Sequence, residues 1–226
     1  MSYQYRSSYT GAHLPRPVSA SVHLGGAYRR FFKRGLDLLI VVVASVPVAL
    51  TVLVLALLVA LDGRNPFYVQ PRLGKGGRTF RMWKLRTMVV NAEETLDSYL
   101  EANPVARIEW DCHQKLVNDP RTTAIGRFLR KSSLDELPQL WNVFKGEMSI
   151  VGPRPIMICQ KSMYPGNEYY EMLPGVTGFW QVSERNETSF FERADYDSRY
   201  YRAMSLGTDL KVIAQTVKVV LSGTGH

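Results

Sequence analysis

Cysteine is scarce in this chain: its 226 residues include two, Cys112 and Cys159. They lie far apart and show neither a CxxC pair nor zinc-ligand spacing, which argues against a disulfide framework or a structural zinc. Charge is missing altogether from Leu38 to Leu61. No internal repeat is visible. The apolar block does not open the chain and no small-residue cleavage site follows it, so a cleaved signal peptide is not expected. Residues 1–27 lack periodicity and are rich in Ser, Tyr, Gly, Pro and Arg, the composition of a flexible tail.

The remaining length suffices for one domain with a sizeable core. Lys and Arg number 28 against 20 Asp and Glu, giving a net charge of +8. A basic balance suits an anionic partner: nucleic acid, phospholipid headgroups or a phosphorylated substrate. Charge alone does not choose among them.

The uncharged block is long enough for a bilayer's hydrocarbon core. Arg29, Arg30, Lys33 and Arg34 precede it, and Arg64, Arg72, Lys75 and Arg78 follow. Cytoplasmic flanks carry the excess of Lys and Arg, so two basic flanks select no orientation for a spanning helix. Pro47, near the middle, removes a backbone donor and can bend the helix. A re-entrant hairpin with both ends on one face satisfies the charge pattern; a plain span through a tolerated proline stays open beside it. Asp37, at the entrance, is expected to form an interfacial ion pair with Lys33 or Arg34.

Beyond the block, residues 66–85 read as a β-hairpin, with strand residues Phe67 to Val69 and Phe80 to Trp83 and a turn at Gly74, Gly76 and Gly77. Glycines beside Arg72, Lys75 and Arg78 suit a phosphate as well as a turn; the turn is the commoner use. Residues 91–117 read as a helix capped by Asn91. Thr122 to Leu140 reads as two helices broken near Ser132 and Ser133. Ser133 and Glu136 have the spacing of a capping box. Near the C-terminus Thr208 is placed to cap a helix to about Leu221. Its apolar residues Leu210, Ile213, Ala214, Val217, Val220 and Leu221 share a face that suits either the core or a membrane surface.

Candidate chemistry gathers in a few stretches. Arginine forks bind phosphate oxygens, which draws attention to Arg86, Arg127, Arg130, Lys131 and Arg154. Arg154 stands in Pro153-Arg154-Pro155, where both prolines restrict the backbone and aim the side chain. Asp135 and Glu136 are adjacent, so on a helix they point apart and are poorly placed to share a proton. A division of labour is the alternative: one carboxylate as nucleophile at phosphorus, the other holding Mg²⁺. A capped surface helix explains the same residues.

Longer motifs weigh on that choice. Lys131 to Val143 (KSSLDELPQLWNV) and Lys145 to Pro155 (KGEMSIVGPRP) resemble the signature of the bacterial sugar transferases, the monotopic polyprenyl-phosphate phosphoglycosyl transferases. Lys33-Arg34 with Asp37, Gln70-Pro-Arg-Leu-Gly74, Lys84-Leu-Arg-Thr-Met88, Pro174-Gly-Val-Thr-Gly178, Trp180-Gln181 and Asp209-Leu210 resemble other parts of the family in the same order, over roughly residues 31–223. The chain is most similar to the short enzymes that start exopolysaccharide synthesis, several of which use UDP-galactose or UDP-glucose.

The resemblance implies an α+β protein: a re-entrant membrane helix over 28–64, then a small, mostly helical cytoplasmic domain over 65–226 with a short hairpin and interfacial amphipathic helices. It implies a UDP-sugar donor, undecaprenyl phosphate as acceptor and Mg²⁺ as cofactor, at the cytoplasmic face of the bacterial inner membrane. Asp135 would attack the β-phosphate and release UMP, Glu136 would hold the metal, and the lipid phosphate would resolve the sugar-phosphoryl aspartate. Arg130 matches a phosphate-binding position and Arg154 the nucleotide-binding arginine of the proline-flanked motif. Lys84 and Arg86, in the hairpin motif, join them as candidate substrate ligands. Some members carry Ser directly before the helix-breaking Pro; here Val46 separates Ser45 from Pro47. Nucleic acid is not expected as a partner, and a homo-oligomer stays open. Two rival readings remain: an anchored binder of nucleic acid or anionic lipid, and a non-catalytic scaffold for polysaccharide assembly.

Overall fold

The computed structural model describes residues 26–113, 116–183 and 192–221. Gly26 and Ala27 are already helical, so the last two residues assigned to the tail belong to the first helix; residues 1–25 lie outside the described residues. A π-helical turn, Tyr28–Phe32, leads into α1, Lys33–Val59. The 3₁₀ turn Ala60–Asp62 and left-handed Gly63 end it. This helix is long and apolar enough to cross a membrane. It continues through Pro47, where Ser45 Oγ donates to Val42 O and Thr51 Oγ1 to Pro47 O, 2.7 and 2.8 Å.

Both ends of α1 are fixed to the rest of the protein. Near the start, Arg34 donates to the carbonyls of Val143 and Phe144, and Lys33 pairs with Asp209 at 2.7 Å. Asp37 is 2 % exposed and accepts from Ser149 Oγ and Ile150 N. The expected ion pair at the entrance is therefore corrected. Asp37 does anchor the helix, but through donors of a distant strand, because Lys33 is drawn to the buried Asp209. At the far end Leu55, Ala56 and Val59 pack with Leu85 and Leu129. Between Val41 and Leu55 no residue is buried.

The hairpin forms as read. β1, Phe67–Leu73, pairs antiparallel with β2, Thr79–Leu85, around the turn Lys75–Gly77. Gly76 and Gly77 have φ of 67° and 71°, left-handed values that glycine adopts at little cost. The register sets Arg72 opposite Phe80, Gln70 opposite Met82 and Tyr68 opposite Lys84. Paired residues share a face, so Arg72, Gln70 and Lys84 lie on the side of Phe80 and Met82, both buried.

The helix expected over 91–117 is two: α2, Ala92–Ala102, and α3, Pro104–His113. Pro104 forces the break, since it holds Asn103 extended at φ −131°, ψ 90°. Asn91 occupies the cap position but its side chain makes no cap bond. α4, Ala124–Ser132, is capped by Thr123, whose Oγ1 accepts from Gly126 N at 2.9 Å. Gly126 rests on the backbone of Thr87, where a Cβ would collide. A 3₁₀ turn, Leu134–Glu136, separates α4 from α5, Gln139–Lys145.

A second, parallel pair was not read from the sequence: β3, Ser149–Val151, beside β4, Gly175–Thr177. The 3₁₀ turn Ile158–Met163 and the short α6, Glu168–Glu171, lie between them. α7, Phe179–Val182, α8, Arg193–Ala203, and α9, Leu206–Leu221, complete the order. The main core joins Val41 of α1 to Phe80, Met82, Val143, Met148, Ile150, Val151, Tyr200 and Val212. α9 starts two residues before Thr208, with Ser205 Oγ accepting from Thr208 N. Its inward face is Asp209 and Val212, whereas Leu210 and Val217 stay exposed. The expected apolar stripe is divided: Ile213 packs against the main core, while Leu210, Ala214 and Val217 stay exposed.

Candidate functional site

The turn that carries the paired carboxylates is bent by its predecessor. Ser133 has φ 57° and ψ 18°, left-handed for a residue with a side chain, and its N–H donates back to Arg130 O. That conformation ends α4 and turns the next residues inward. Its side chain makes no cap bond, so the Ser133–Glu136 capping box does not form. Glu136 Oε1 instead receives Lys84 Nζ at 2.7 Å and Arg154 Nη2 at 3.4 Å. Asp135 is 7 % exposed, with Oδ2 3.7 Å from the same Lys84 Nζ.

Burial raises the Asp135 pKa above the ordinary carboxylate range. The charge of Glu136 adds to the rise, while Lys84, Arg130 and Arg154 oppose it. Arg130 is held by Thr87 Oγ1 at 2.9 Å and Thr122 Oγ1 at 3.4 Å, neutral acceptors, and the carboxylates whose charge acts on it are Asp135 and Asp119. Its own pKa is lowered, chiefly by burial. A narrow cleft opens beside Glu136, lined by Arg72, Met82, Lys84, Gln139, Arg154, Pro155, Gly175 and Val176.

Arg154 reaches this cleft because its segment is locked from two sides. Gly152 N donates to Thr177 O and Gly175 N to Pro153 O, both 2.8 Å. The contact is so close that a Cβ on Gly152 or Gly175 would strike the other's backbone. On the other side Leu73 N donates to Ile156 O and Arg72 Nη1 to Pro155 O. Pro153 and Pro155, both buried, thereby act through the backbone they fix. Arg154 also lies over the Trp180 ring, 5.8 Å from its centre.

Cations around a buried carboxylate, next to a cleft lined by its neighbour Glu136, fit phosphate chemistry, and likeness to known proteins narrows the field. Residues 28–223 match the bacterial sugar transferase family. The chain belongs to that family. It is 43 % identical to the undecaprenyl-phosphate galactose phosphotransferase of Salmonella typhimurium, over 99 % of this chain and 47 % of that protein. It is 40 % identical to the exopolysaccharide production protein ExoY of Sinorhizobium fredii, over 97 % of each chain. The UDP-glucose:undecaprenyl-phosphate glucose-1-phosphate transferase of Klebsiella pneumoniae is 35 % identical over 82 % of this chain and 39 % of its own. The chain thus spans about half the length of several relatives and nearly all of ExoY.

Asp135, Glu136, Lys84, Arg130 and Arg154 are brought together in this family member. Arg86 is not. Its guanidinium bonds to Asp62 Oδ1, Val59 O, Asn65 O and Met88 O, clamping the end of α1 to the hairpin. Arg72, Gln139 and Asn142 were not singled out as site residues. The signal for Arg72 is its even register with Lys84 across the hairpin. Asn142, fully buried, accepts from Trp83 N and donates to Arg81 O and Glu147 Oε2, which fixes α5 against β2.

No group of three or more His, Cys, Asp or Glu suited to a metal occurs among the described residues. Two adjacent carboxylates suit a Mg²⁺ that completes its shell with substrate phosphates and water, not an ion caged by protein alone. Glu136 would hold it in competition with Lys84 and Arg154.

Proposed function

We propose that the chain transfers a sugar-1-phosphate from a UDP-sugar to undecaprenyl phosphate and releases UMP, as the first membrane step of exopolysaccharide synthesis. The observation that carries this reading is the buried Asp135 3.7 Å from Lys84, whose side chain lines a cleft together with Glu136 and Arg154, and within reach of the charge of Arg130. In the first step an Asp135 carboxylate oxygen attacks the β-phosphorus. The bond from that phosphorus to the bridging oxygen breaks, and its electron pair leaves with UMP. In the second, an oxygen of the lipid phosphate attacks the same phosphorus and expels the carboxylate, giving a lipid-linked diphosphosugar. Lys84 and Arg130 favour the ionised form of Asp135 against its burial, and Arg154 offsets charge on the nucleotide phosphates. Mg²⁺, when bound, neutralises charge developing on the phosphate oxygens. Glu136 would hold it.

A re-entrant α1 belongs to the same reading. The helix is about 40 Å long if straight, yet both ends pack on one polar domain and the stretch around Pro47 buries nothing. A bend that lifts the middle into lipid accounts for both facts. The active site then faces the cytoplasm at the inner membrane. Galactose or glucose is the favoured sugar, in line with the sugars in the names of the Salmonella and Klebsiella relatives.

The test is Mg²⁺-dependent UMP release by the purified protein from a panel of UDP-sugars, with and without undecaprenyl phosphate. Lipid-linked product from one sugar supports the reading. No release from folded protein in a bilayer, with any sugar, favours a scaffold.

A further inference from the structure

Arg72 is a poorly compensated cation. It is half-buried on β1 and lines the cleft with Lys84, Glu136 and Arg154. Nη1 donates to Pro155 O at 3.2 Å and Nη2 to Gln70 Oε1 at 2.6 Å. Nε is buried and has no partner among the described residues. No carboxylate of the described residues lies within ion-pair distance. The strongest charge acting on it is Arg154, which repels it. Burial and that repulsion push its pKa down to about 10.

A structural role explains this poorly. Two neutral acceptors would be served as well by a neutral donor, without the cost of a desolvated charge next to another guanidinium. A bound anion removes the difficulty, because two guanidinium forks then share one group of phosphate oxygens.

We propose that Arg72 is a binding residue for the donor's nucleotide phosphate, gripping the α-phosphate together with Arg154 and retaining it in the departing UMP. The proposal rests on the transferase reading above for the identity of the anion. The contacts favour the α-phosphate: Asp135 meets Lys84, Lys84 meets Glu136 and Glu136 meets Arg154, while Arg72, on the Pro155 carbonyl, makes no ion pair with Asp135 or Glu136. In-line displacement places the leaving oxygen on the side of phosphorus away from the nucleophile. Arg154 and Arg72 line the same cleft.

The experiment compares full-length wild type, Arg72→Gln and Arg72→Lys in UMP binding by calorimetry and in melting temperature with and without UMP. Arg72→Gln is expected to weaken UMP by about 10- to 100-fold. Its melting temperature without ligand should be unchanged or higher, because a desolvated charge has gone. Arg72→Lys, keeping charge but losing the fork, should fall between. A normal UMP affinity in Arg72→Gln, or a lowered ligand-free melting temperature with normal affinity, overturns the proposal in favour of a purely structural arginine. Should Arg72→Gln not fold, the Arg72 Nε–H resonance of wild type decides: it should shift on UMP addition, and no shift at saturating UMP overturns the proposal. Inorganic pyrophosphate separates the two readings. If wild type turns over no UDP-sugar yet binds pyrophosphate through Arg72, the transferase reading fails while the anion site stands. If turnover is present and Arg72→Gln binds UMP and pyrophosphate normally, the reverse holds.

Discussion

Lys84 Nζ lies 3.7 Å from Asp135 Oδ2, on a strand that register and burial turn toward the interior. The ammonium favours the ionised carboxylate, the form that attacks, against the burial that raises its pKa. Removing the ammonium raises the Asp135 pKa further. Lys84→Met should therefore move the acid limb of the UMP-release profile to higher pH and slow release by roughly 100-fold at neutral pH. An unmoved limb would separate Lys84 from the ionisation of Asp135.

Asp135 also links activity to stability. Its folded-state pKa lies above the unfolded one, chiefly through burial. Its contribution to stability is full below the unfolded pKa and is lost as pH rises through the folded value. Once ionised, the buried group thus burdens the fold. Asp135→Asn should abolish turnover while raising the melting temperature, with the gain shrinking as the pH is lowered toward the ordinary carboxylate range. Thermal unfolding of both proteins across acid and neutral pH checks this.

Ser133 holds the turn before Asp135 in a left-handed conformation that glycine adopts more readily. Ser133→Gly should stabilise the protein by about 1 kcal/mol, or roughly 2–4 °C at this size. The same change loosens the turn, so kcat should fall severalfold with little effect on KM. Melting curves and steady-state kinetics on one preparation show whether the two move in opposite directions.

The membrane reading makes a topological prediction. Cysteine at position 30 or 64, introduced by Arg30→Cys or Arg64→Cys, should react with an impermeant reagent from the same side of sealed vesicles. Reaction from opposite sides would mean a helix that crosses.

Local chemistry was the legible part of this fold. The glycine turn announces the hairpin, since only particular backbone conformations close it, and the break at Ser132–Ser133 is visible in the loss of apolar spacing. Pro104 was present in the sequence, but two helices in series share enough periodicity to read as one. The capping box failed because spacing does not reveal backbone handedness: a left-handed Ser133 cannot serve as the cap. Asp37 was misassigned for a different reason. Its donors, Ser149 and Ile150, are 112 and 113 residues away, while Lys33 and Arg34 are close in sequence. The β3–β4 pair is too short to show alternation, and only contact explains why Gly152 and Gly175 must both lack a Cβ. The Asp135–Glu136 pair stood out through its motif. Its dependence on Lys84 is a tertiary fact.

The most direct test of the account is mass spectrometry of the protein after incubation with Mg²⁺ and a turned-over UDP-sugar, without lipid acceptor. The prediction is a sugar-phosphate adduct on the peptide bearing Asp135, formed with one equivalent of UMP, absent from Asp135→Asn and discharged by undecaprenyl phosphate. UMP release that strictly requires the lipid, with no adduct under rapid quenching, would contradict a covalent route and point to direct attack by the lipid phosphate.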